Sequence, residues 1–202
     1  MPRAPAGESM SDVQALLDQV RAGDLAARQG LFDALYRDLK QLARARLHAD
    51  SDGSMSATTL VHEAYLKLIH SASVRAGSRG EFFALAGQVM RSIIIDDARA
   101  RLAAKRGGGA VVESIDSTAF QWPELSDAVM GDEQLLALNG ALEQLGEADE
   151  RMMRVVELKF FAGLSIDETA ELLELSPRTV KRAWQGARAF LQAAMAEAGH
   201  RA

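Results

Sequence analysis

Amphipathic helical periodicity runs through most of this 202-residue chain, and one long stretch without any period interrupts it. Apolar residues recur at helical spacing, as in Leu31, Leu35, Leu39 and Leu42, and no segment shows the alternation of a strand. Residues 107–127 instead contain three consecutive glycines, a proline and no repeating pattern, which is typical of a linker. The pattern therefore predicts an all-α fold, with two small helical domains joined by a flexible linker.

The segment boundaries follow from turn-forming residues and helix-capping signals along the chain. We predict a disordered leader over residues 1–10, a first domain over 11–106, a linker over 107–128 and a second domain over 129–197. In the first domain, Ser11 is expected to cap the first helix, and the second helix is expected from Leu25 to about Leu47. A third helix is expected to begin near Leu60, and a long fourth helix is expected over residues 81–106.

Composition and charge exclude several classes of protein. The chain has no cysteine, which excludes a disulfide scaffold and a cysteine zinc finger and fits the reducing cytoplasm. No stretch approaches the roughly 18 apolar residues of a membrane span, and the amino terminus lacks the apolar segment of a signal peptide. The net charge of −5 argues against a non-specific nucleic-acid binder.

The basic residues are nevertheless clustered, which is typical of a protein that contacts DNA at selected places. The clusters are Arg99, Arg101, Lys105 and Arg106 in the long helix, and Arg178, Lys181, Arg182 and Arg188 near the carboxyl terminus.

The second basic cluster lies in a segment with two helix-start signals. Ser165 followed by Glu168 has the spacing of a capping box, and Ser176-Pro177 can cap and start another helix after a short turn. The residues expected to face outward from this second helix are Arg178, Thr179, Lys181, Arg182, Gln185 and Arg188. Two capped helices with a basic outer face are typical of a helix-turn-helix, whose second helix enters the major groove. The alternative is an ordinary helical hairpin with a solvated basic face.

Read together, the two domains resemble a family of transcription factors. Residues 141–191, from ALEQLGEADE to GARAFL, are similar to region 4 of a sigma-70 type initiation factor. TTLVHEAYLKL, followed by EFFALAGQVMRSIIIDDARAR, is similar to region 2 of the same class. With only these two regions and a linker, the chain resembles the extracytoplasmic-function (ECF) sigma factors over nearly its whole length after the first ten residues. The resemblance implies a protein that is not an enzyme, needs no cofactor or metal, and directs promoter-specific transcription by core RNA polymerase.

The resemblance also implies residue roles. Region 4 would read the −35 element as duplex through the six outward residues of the recognition helix. Region 2 would melt the −10 element and hold its non-template strand, and Glu63 would face the polymerase, whose β′ coiled coil and β flap are the expected contacts. The residues implied in −10 binding are Arg75, Arg79, Arg91, Ser92, Arg99, Arg101, Lys105 and Arg106.

Two departures from the family pattern affect DNA binding. Many relatives carry aromatic residues in the region 2 helix where this chain has Leu85 and Gly87, so base stacking is expected to be weak. Ala183 and Gly186 stand in the recognition helix where many relatives carry arginine. Duplex binding by region 4 alone is therefore expected to be weak and strongly dependent on salt.

A third departure lies ahead of the third helix. Ser56-Ala57-Thr58-Thr59 precedes LVHE, where many ECF factors read Asp-Ala-Glu-Asp. In the family this surface docks a basic coiled coil of β′, so the loss of carboxylates predicts weak binding to core polymerase. Two interpretations stay open. A hydroxyl of Ser56, Thr58 or Thr59 simply caps the helix, or a Ser/Thr protein kinase phosphorylates Thr58, or less favourably Thr59, and restores the negative charge.

Other functions find less support in the sequence. A stand-alone helix-turn-helix regulator, the second hypothesis, would need a dimer surface or an effector pocket, and no such feature is evident. A helical hydrolase lacks a catalytic set. His62-Glu63 and Asp96-Asp97 lack the spacing of a zinc protease, so no metal site is expected. The acidic residues at 167–174 and the basic run at 99–106 favour a closed arrangement of the two domains in the free protein.

Overall fold

A computed structural model describes residues 10–47, 55–70, 76–107 and 131–199 of the chain. These ranges contain eight α-helices, one π-helix and no strand, which confirms the all-α prediction. The α-helices are α1 (Met10–Arg21), α2 (Leu25–Arg46), α3 (Ala57–His70), α4 (Arg79–Gly107), α5 (Asp132–Ala148), α6 (Glu150–Val156), α7 (Ile166–Leu172) and α8 (Pro177–Gly199). The π-helix spans Glu157–Phe161, between α6 and α7.

Helices α1 to α4 pack around one hydrophobic cluster. The predicted inward face of α2 is buried, with Leu31, Leu35 and Leu39 each at most 2% exposed. Asp24 begins this helix as expected for a cap, because its carboxylate accepts hydrogen bonds from the backbone N–H groups of Ala26 and Ala27.

Three helix starts differ from prediction, and the smallest difference is at α4, which begins at Arg79 rather than at Glu81. Helix α1 already begins at Met10, so Ser11 lies in its first turn rather than ahead of it. Helix α3 begins at Ala57 rather than near Leu60, because Ser56 Oγ accepts a hydrogen bond from the Thr59 backbone N–H at 3.0 Å. Thr58 and Thr59 therefore lie in the first turn of α3. The predicted leader, except Met10, and the predicted linker beyond Gly107 lie outside the described residues.

Helices α5 to α8 surround a second cluster. The predicted inward stripe of α8 is buried: Val180, Trp184, Ala187 and Leu191. The two predicted helix starts are confirmed, at Ile166 after Ser165 and at Pro177 after Ser176. Glu174 turns the chain between α7 and α8 with a φ of 54°, a left-handed conformation that a non-glycine residue rarely adopts.

The capping box of α7 gives a stability prediction. Ser165 Oγ accepts from the Glu168 N–H at 3.1 Å, and Glu168 Oε2 accepts from the Ser165 N–H at 2.8 Å. We expect Ser165→Ala to lower the free energy of unfolding by about 1 kcal/mol, measured by urea denaturation at pH 7. Ser92→Ala, at an exposed position in the middle of α4, is the control and should change the free energy of unfolding by less than about 0.5 kcal/mol. An equal loss in both variants would contradict the role of the cap.

This capping box also makes stability depend on pH. The hydrogen bond from the Ser165 backbone N–H is the main cause that lowers the pKa of Glu168 below its ordinary value, against the opposing effect of burial. A lowered folded pKa means that the contribution is present above the unfolded pKa, about 4.3, and is lost as pH falls through the lower folded value.

The two halves of the chain pack against each other along α4. Helix α5 and the π-helix both contact α4, and Leu158, Ala162 and Leu164 belong to the hydrophobic cluster of the first four helices. The neighbouring Phe160 and Phe161 belong to the second cluster instead. A π-helix adds a residue to one turn and so rotates the faces of the helix that follow it. This short segment therefore contributes to both clusters.

Candidate DNA and polymerase interfaces

The outer face of α8 presents its basic residues to solvent. Arg178, Lys181, Arg182 and Gln185 are exposed, and within the described part of the chain none of the four pairs with a carboxylate. Thr179 and Arg188 are half-buried at the edges of this face. Ser176 Oγ accepts from the Thr179 N–H at 3.1 Å and fixes the start of the helix. The sequence-predicted residues thus lie on one side of α8, where guanidinium, ammonium and amide groups can meet phosphates and base edges.

Arg91, predicted to contact the −10 strand, lies in the groove between α4 and the second half of the chain. Its guanidinium donates to Asn139 Oδ1 at 3.0 Å, lies 3.6 Å from a Glu157 carboxylate oxygen and sits 5.3 Å from the centre of the Phe161 ring. The side chains of Arg91 and Glu157 are only 14% and 17% exposed. Burial lowers the pKa of Arg91, and the nearby carboxylates of Glu157 and Glu143 oppose that shift.

Arg101 holds the start of α5 against the end of α4. Its Nε and one terminal nitrogen donate to Asp132 Oδ1 at 2.9 and 2.6 Å, and it also bonds Asp97 one turn away. Lys105 approaches the other Asp132 oxygen at 3.6 Å. The hydrogen bond from Arg101 is the main cause that lowers the pKa of Asp132, a carboxylate 12% exposed.

The remaining residues assigned to the −10 element are in several environments. Arg79 pairs with Asp38 at 2.8 Å and with Glu168 at 3.7 Å, and its guanidinium lies 4.6 Å from the Phe83 ring centre. Ser92 and Arg99 are exposed and both contact Asp96. The structure thus brings Arg79, Arg91 and Arg101 against acidic residues of the second half, a pairing that the sequence analysis did not predict residue by residue. Arg75 and the Arg106 side chain lie outside the described residues.

The aromatic residues of α4 are not exposed as a platform for bases. Phe82 and Phe83 are each 4% exposed and stack edge to face. Gly87, where an aromatic residue is common in relatives, lies against the second half of the chain: a Cβ there would be 2.7 Å from the Phe161 carbonyl carbon and 2.8 Å from the Ala162 nitrogen. The glycine is therefore explained by a close backbone approach, which sequence analysis missed because it depends on a distant segment.

The amino-terminal turn of α3 carries hydroxyl groups and no acidic residue. The Ser56 and Thr59 hydroxyls lie 2.8 Å apart, in addition to the backbone bond that caps the helix. Thr59 is exposed and Thr58 is half-buried, and among the described residues Thr58 has no side-chain hydrogen bond. Glu63 is exposed one turn further along the same helix. The capping interpretation is therefore correct for Ser56. The Thr58 hydroxyl takes no part in the cap.

Neither a metal site nor a membrane segment is found in the part of the chain that the structure describes. Its His, Asp and Glu residues form no group of three that could hold an ion. No described helix is both long and apolar enough to cross a bilayer.

The described residues thus form two helical clusters, with basic side chains on the exposed face of α8 and along α4, where the two clusters meet. The chain belongs to the ECF sigma factor family, because the family model described as ECF sigma factor matches residues 10–197. Members of this family are transcription initiation factors that bind core RNA polymerase and promoter DNA. The predicted resemblance is thus confirmed, and the chain is an alternative sigma factor.

The chain is also similar to a protein of known structure. The chain is similar to a chain in the structure of CnrH in complex with the cytosolic domain of CnrY, with 22% sequence identity over 89% of this chain and 94% of that chain, and a TM-score of 0.40. Comparison with curated protein sequences gives no significant match.

Proposed function

We propose that this alternative sigma factor binds core RNA polymerase efficiently only after phosphorylation in the first turn of α3. The observation that carries the proposal is the absence of any acidic residue from that turn, which contains Thr58 and Thr59 after the Ser56 cap. The resemblance to ECF factors places carboxylates there, against a basic coiled coil of the polymerase. A Ser/Thr protein kinase acting in the cytoplasm would then supply the missing charge.

The geometry of this turn favours a phosphate. The amino terminus of a helix carries a partial positive charge and unpaired N–H groups, so an added charge of about −1.5 to −2 is stabilised there. Phosphorylation of Thr58 leaves the bond between Ser56 and the Thr59 backbone intact. Phosphorylation of Thr59 would change the hydroxyl that lies 2.8 Å from Ser56 Oγ, beside the cap, whereas the Thr58 hydroxyl has no such contact, and Thr58 therefore stays the preferred site.

The proposed function also assigns residues to the −35 and −10 promoter elements. Arg178, Thr179, Lys181, Arg182, Gln185 and Arg188 of α8 would contact the −35 duplex. The melted −10 strand would lie along α4, where Arg79, Arg91, Ser92, Arg99, Arg101 and Lys105 lie, with Arg75 and Arg106 beside them in sequence. Glu63 would contact the polymerase together with the phosphate.

Binding to purified core RNA polymerase tests the switch. We expect the phosphorylated protein and Thr58→Glu to bind at least about tenfold more tightly than the unmodified protein, because charge-assisted pairs are restored. Thr58→Ala combined with Thr59→Ala should abolish the effect of the kinase on binding and on transcription in the cell. Tight binding by the unmodified wild type, or full transcription by the double variant, would rule out the switch but leave the sigma assignment in place.

Ser56→Ala is the matched control, since it separates capping from modification. It removes the cap, at a cost of about 1 kcal/mol in unfolding free energy, but keeps both threonines. We expect it to retain kinase-dependent polymerase binding. If instead Ser56→Ala and the threonine double variant lose polymerase binding equally, the turn acts through its helix cap alone.

A further inference from the structure

Three arginines on α4 are paired with carboxylates from the second half of the chain. The pairs are Arg91–Glu157 at 3.6 Å, Arg101–Asp132 at 2.6 Å and Arg79–Glu168 at 3.7 Å, and Arg79 also pairs more closely with Asp38 of α2, at 2.8 Å. The arginines span 22 residues of one helix, which corresponds to about 33 Å at 1.5 Å per residue. The second half thus contacts guanidinium groups at three points spread along most of α4, while Arg99 stays exposed.

The carboxylates in these pairs occupy the guanidinium groups in the way that phosphates of a nucleic-acid backbone would. Carboxylate and phosphate oxygens accept the same charge-assisted hydrogen bonds from a guanidinium group. The Arg91 guanidinium is already engaged, because it donates to Asn139, lies 3.6 Å from a Glu157 carboxylate oxygen and packs near the Phe161 ring. Arg101 likewise directs three of its donors to Asp132 and Asp97.

We propose that the second half of the chain is an intramolecular competitor of single-stranded nucleic acid for α4, with Asp132, Glu157 and Glu168 holding the guanidinium groups that phosphates would bind. The inference rests on the proposed role of α4 in binding the −10 strand. The contrast with α8 supports it, because the exposed basic residues of α8 have no such carboxylate partners among the described residues. The closed protein therefore occupies these guanidinium groups of the strand-binding helix and leaves the duplex-binding side accessible.

Gly87 is the position at which a single added methyl group would push the two halves apart. A Cβ at position 87 would approach the backbone of Phe161 and Ala162 to 2.7–2.8 Å, closer than real Cβ contacts come, so one of the two backbone segments must shift away from the other. Alanine is at the same time the better helix former, by about 1 kcal/mol relative to glycine. Gly140→Ala in α5 is the matched control, because nothing lies within 4 Å of its added Cβ.

The experiment measures opening and strand binding in the same full-length protein. Since the chain has no cysteine, Arg37→Cys and Gln192→Cys at exposed positions of α2 and α8 allow a donor and an acceptor dye to report the distance between the halves. Fluorescence anisotropy with a labelled single-stranded DNA of mixed sequence, at low salt, reports binding. We expect Gly87→Ala to lengthen the distance and to raise affinity at least tenfold, and Gly140→Ala to change neither.

A second route to opening is the double variant Asp132→Asn, Glu157→Gln, which removes two of the competing charges and should also raise affinity. The inference is overturned if both routes leave distance and affinity at wild-type values, or if opening occurs without a gain in affinity.

Arg91→Ala distinguishes this inference from the proposed function on which it rests. In the Gly87→Ala background it should reverse the gain in affinity. If the wild type and the opened variant bind equally tightly through Arg91, the role of α4 stands and only the competition is wrong. If the opened variant binds no single-stranded DNA, the assignment of α4 to the −10 strand is itself wrong.

Discussion

Combined replacement of Arg178, Lys181 and Arg182 by alanine is expected to reduce binding to −35 duplex DNA at least about a hundredfold. All three side chains are exposed on α8, so the fold should tolerate their loss. Phosphate contacts dominate the affinity of protein for DNA and release counterions, so each lost contact also lowers the slope of log affinity against log salt by about one. We therefore expect a slope smaller by about three, measured by anisotropy with duplexes selected from a library by the wild-type holoenzyme.

Arg44→Ala is the control for this charge effect, since Arg44 is exposed on α2, in the other half of the chain. It should leave duplex affinity within about twofold of wild type. If the triple variant behaved like Arg44→Ala, α8 would not be the duplex-binding element, and the interpretation as a helical hairpin with a solvated basic face would be correct for α7 and α8.

Trp184→Ala is expected to cause the largest loss of stability, about 3–5 kcal/mol in unfolding free energy. The indole is 6% exposed in the second cluster, and the Lys159 ammonium lies 5.9 Å from its ring centre. Truncation removes apolar contacts and leaves a cavity that the surrounding helices cannot fill completely. Urea denaturation followed by circular dichroism measures the change.

Gln192→Ala, an exposed position two turns further along α8, is the comparison variant and should change stability by less than about 0.5 kcal/mol. A loss below about 1 kcal/mol for Trp184→Ala would mean that the indole does not fill the interior of the second cluster. This second cluster orients α8, so duplex binding should decline together with stability in Trp184→Ala.

Sequence predicted the parts of this fold that depend on local signals. The buried stripe of α8 and the starts at Ile166 and Pro177 follow from periodicity and capping residues within a few positions of each other. The start of α3 was misplaced by three residues, because Ser56, Thr58 and Thr59 can all cap a helix and only the folded backbone selects one.

The contacts between the halves could not be predicted in the same way, because they join residues far apart in sequence. Arg91 and Asn139 are 48 positions apart, and Gly87 meets a segment more than 70 positions away. A polar residue at an inward position of α5, Asn139, was the available signal, since buried amides need hydrogen-bond partners. The sequence suggested a closed arrangement from charge alone, but not which residues form it.

The π-helix has a consequence for how much of the protein can be open at equilibrium. Leu158, at its second position, is fully buried in the first cluster, and Ala162 and Leu164 follow it there. Separating the halves brings these side chains into water, at a cost of about 1.5–3 kcal/mol for a leucine alone. In the natural chain the open species is therefore a minor population in water. It becomes the major population only where another surface covers this apolar segment, so the population of the open form reports whether such a surface is present.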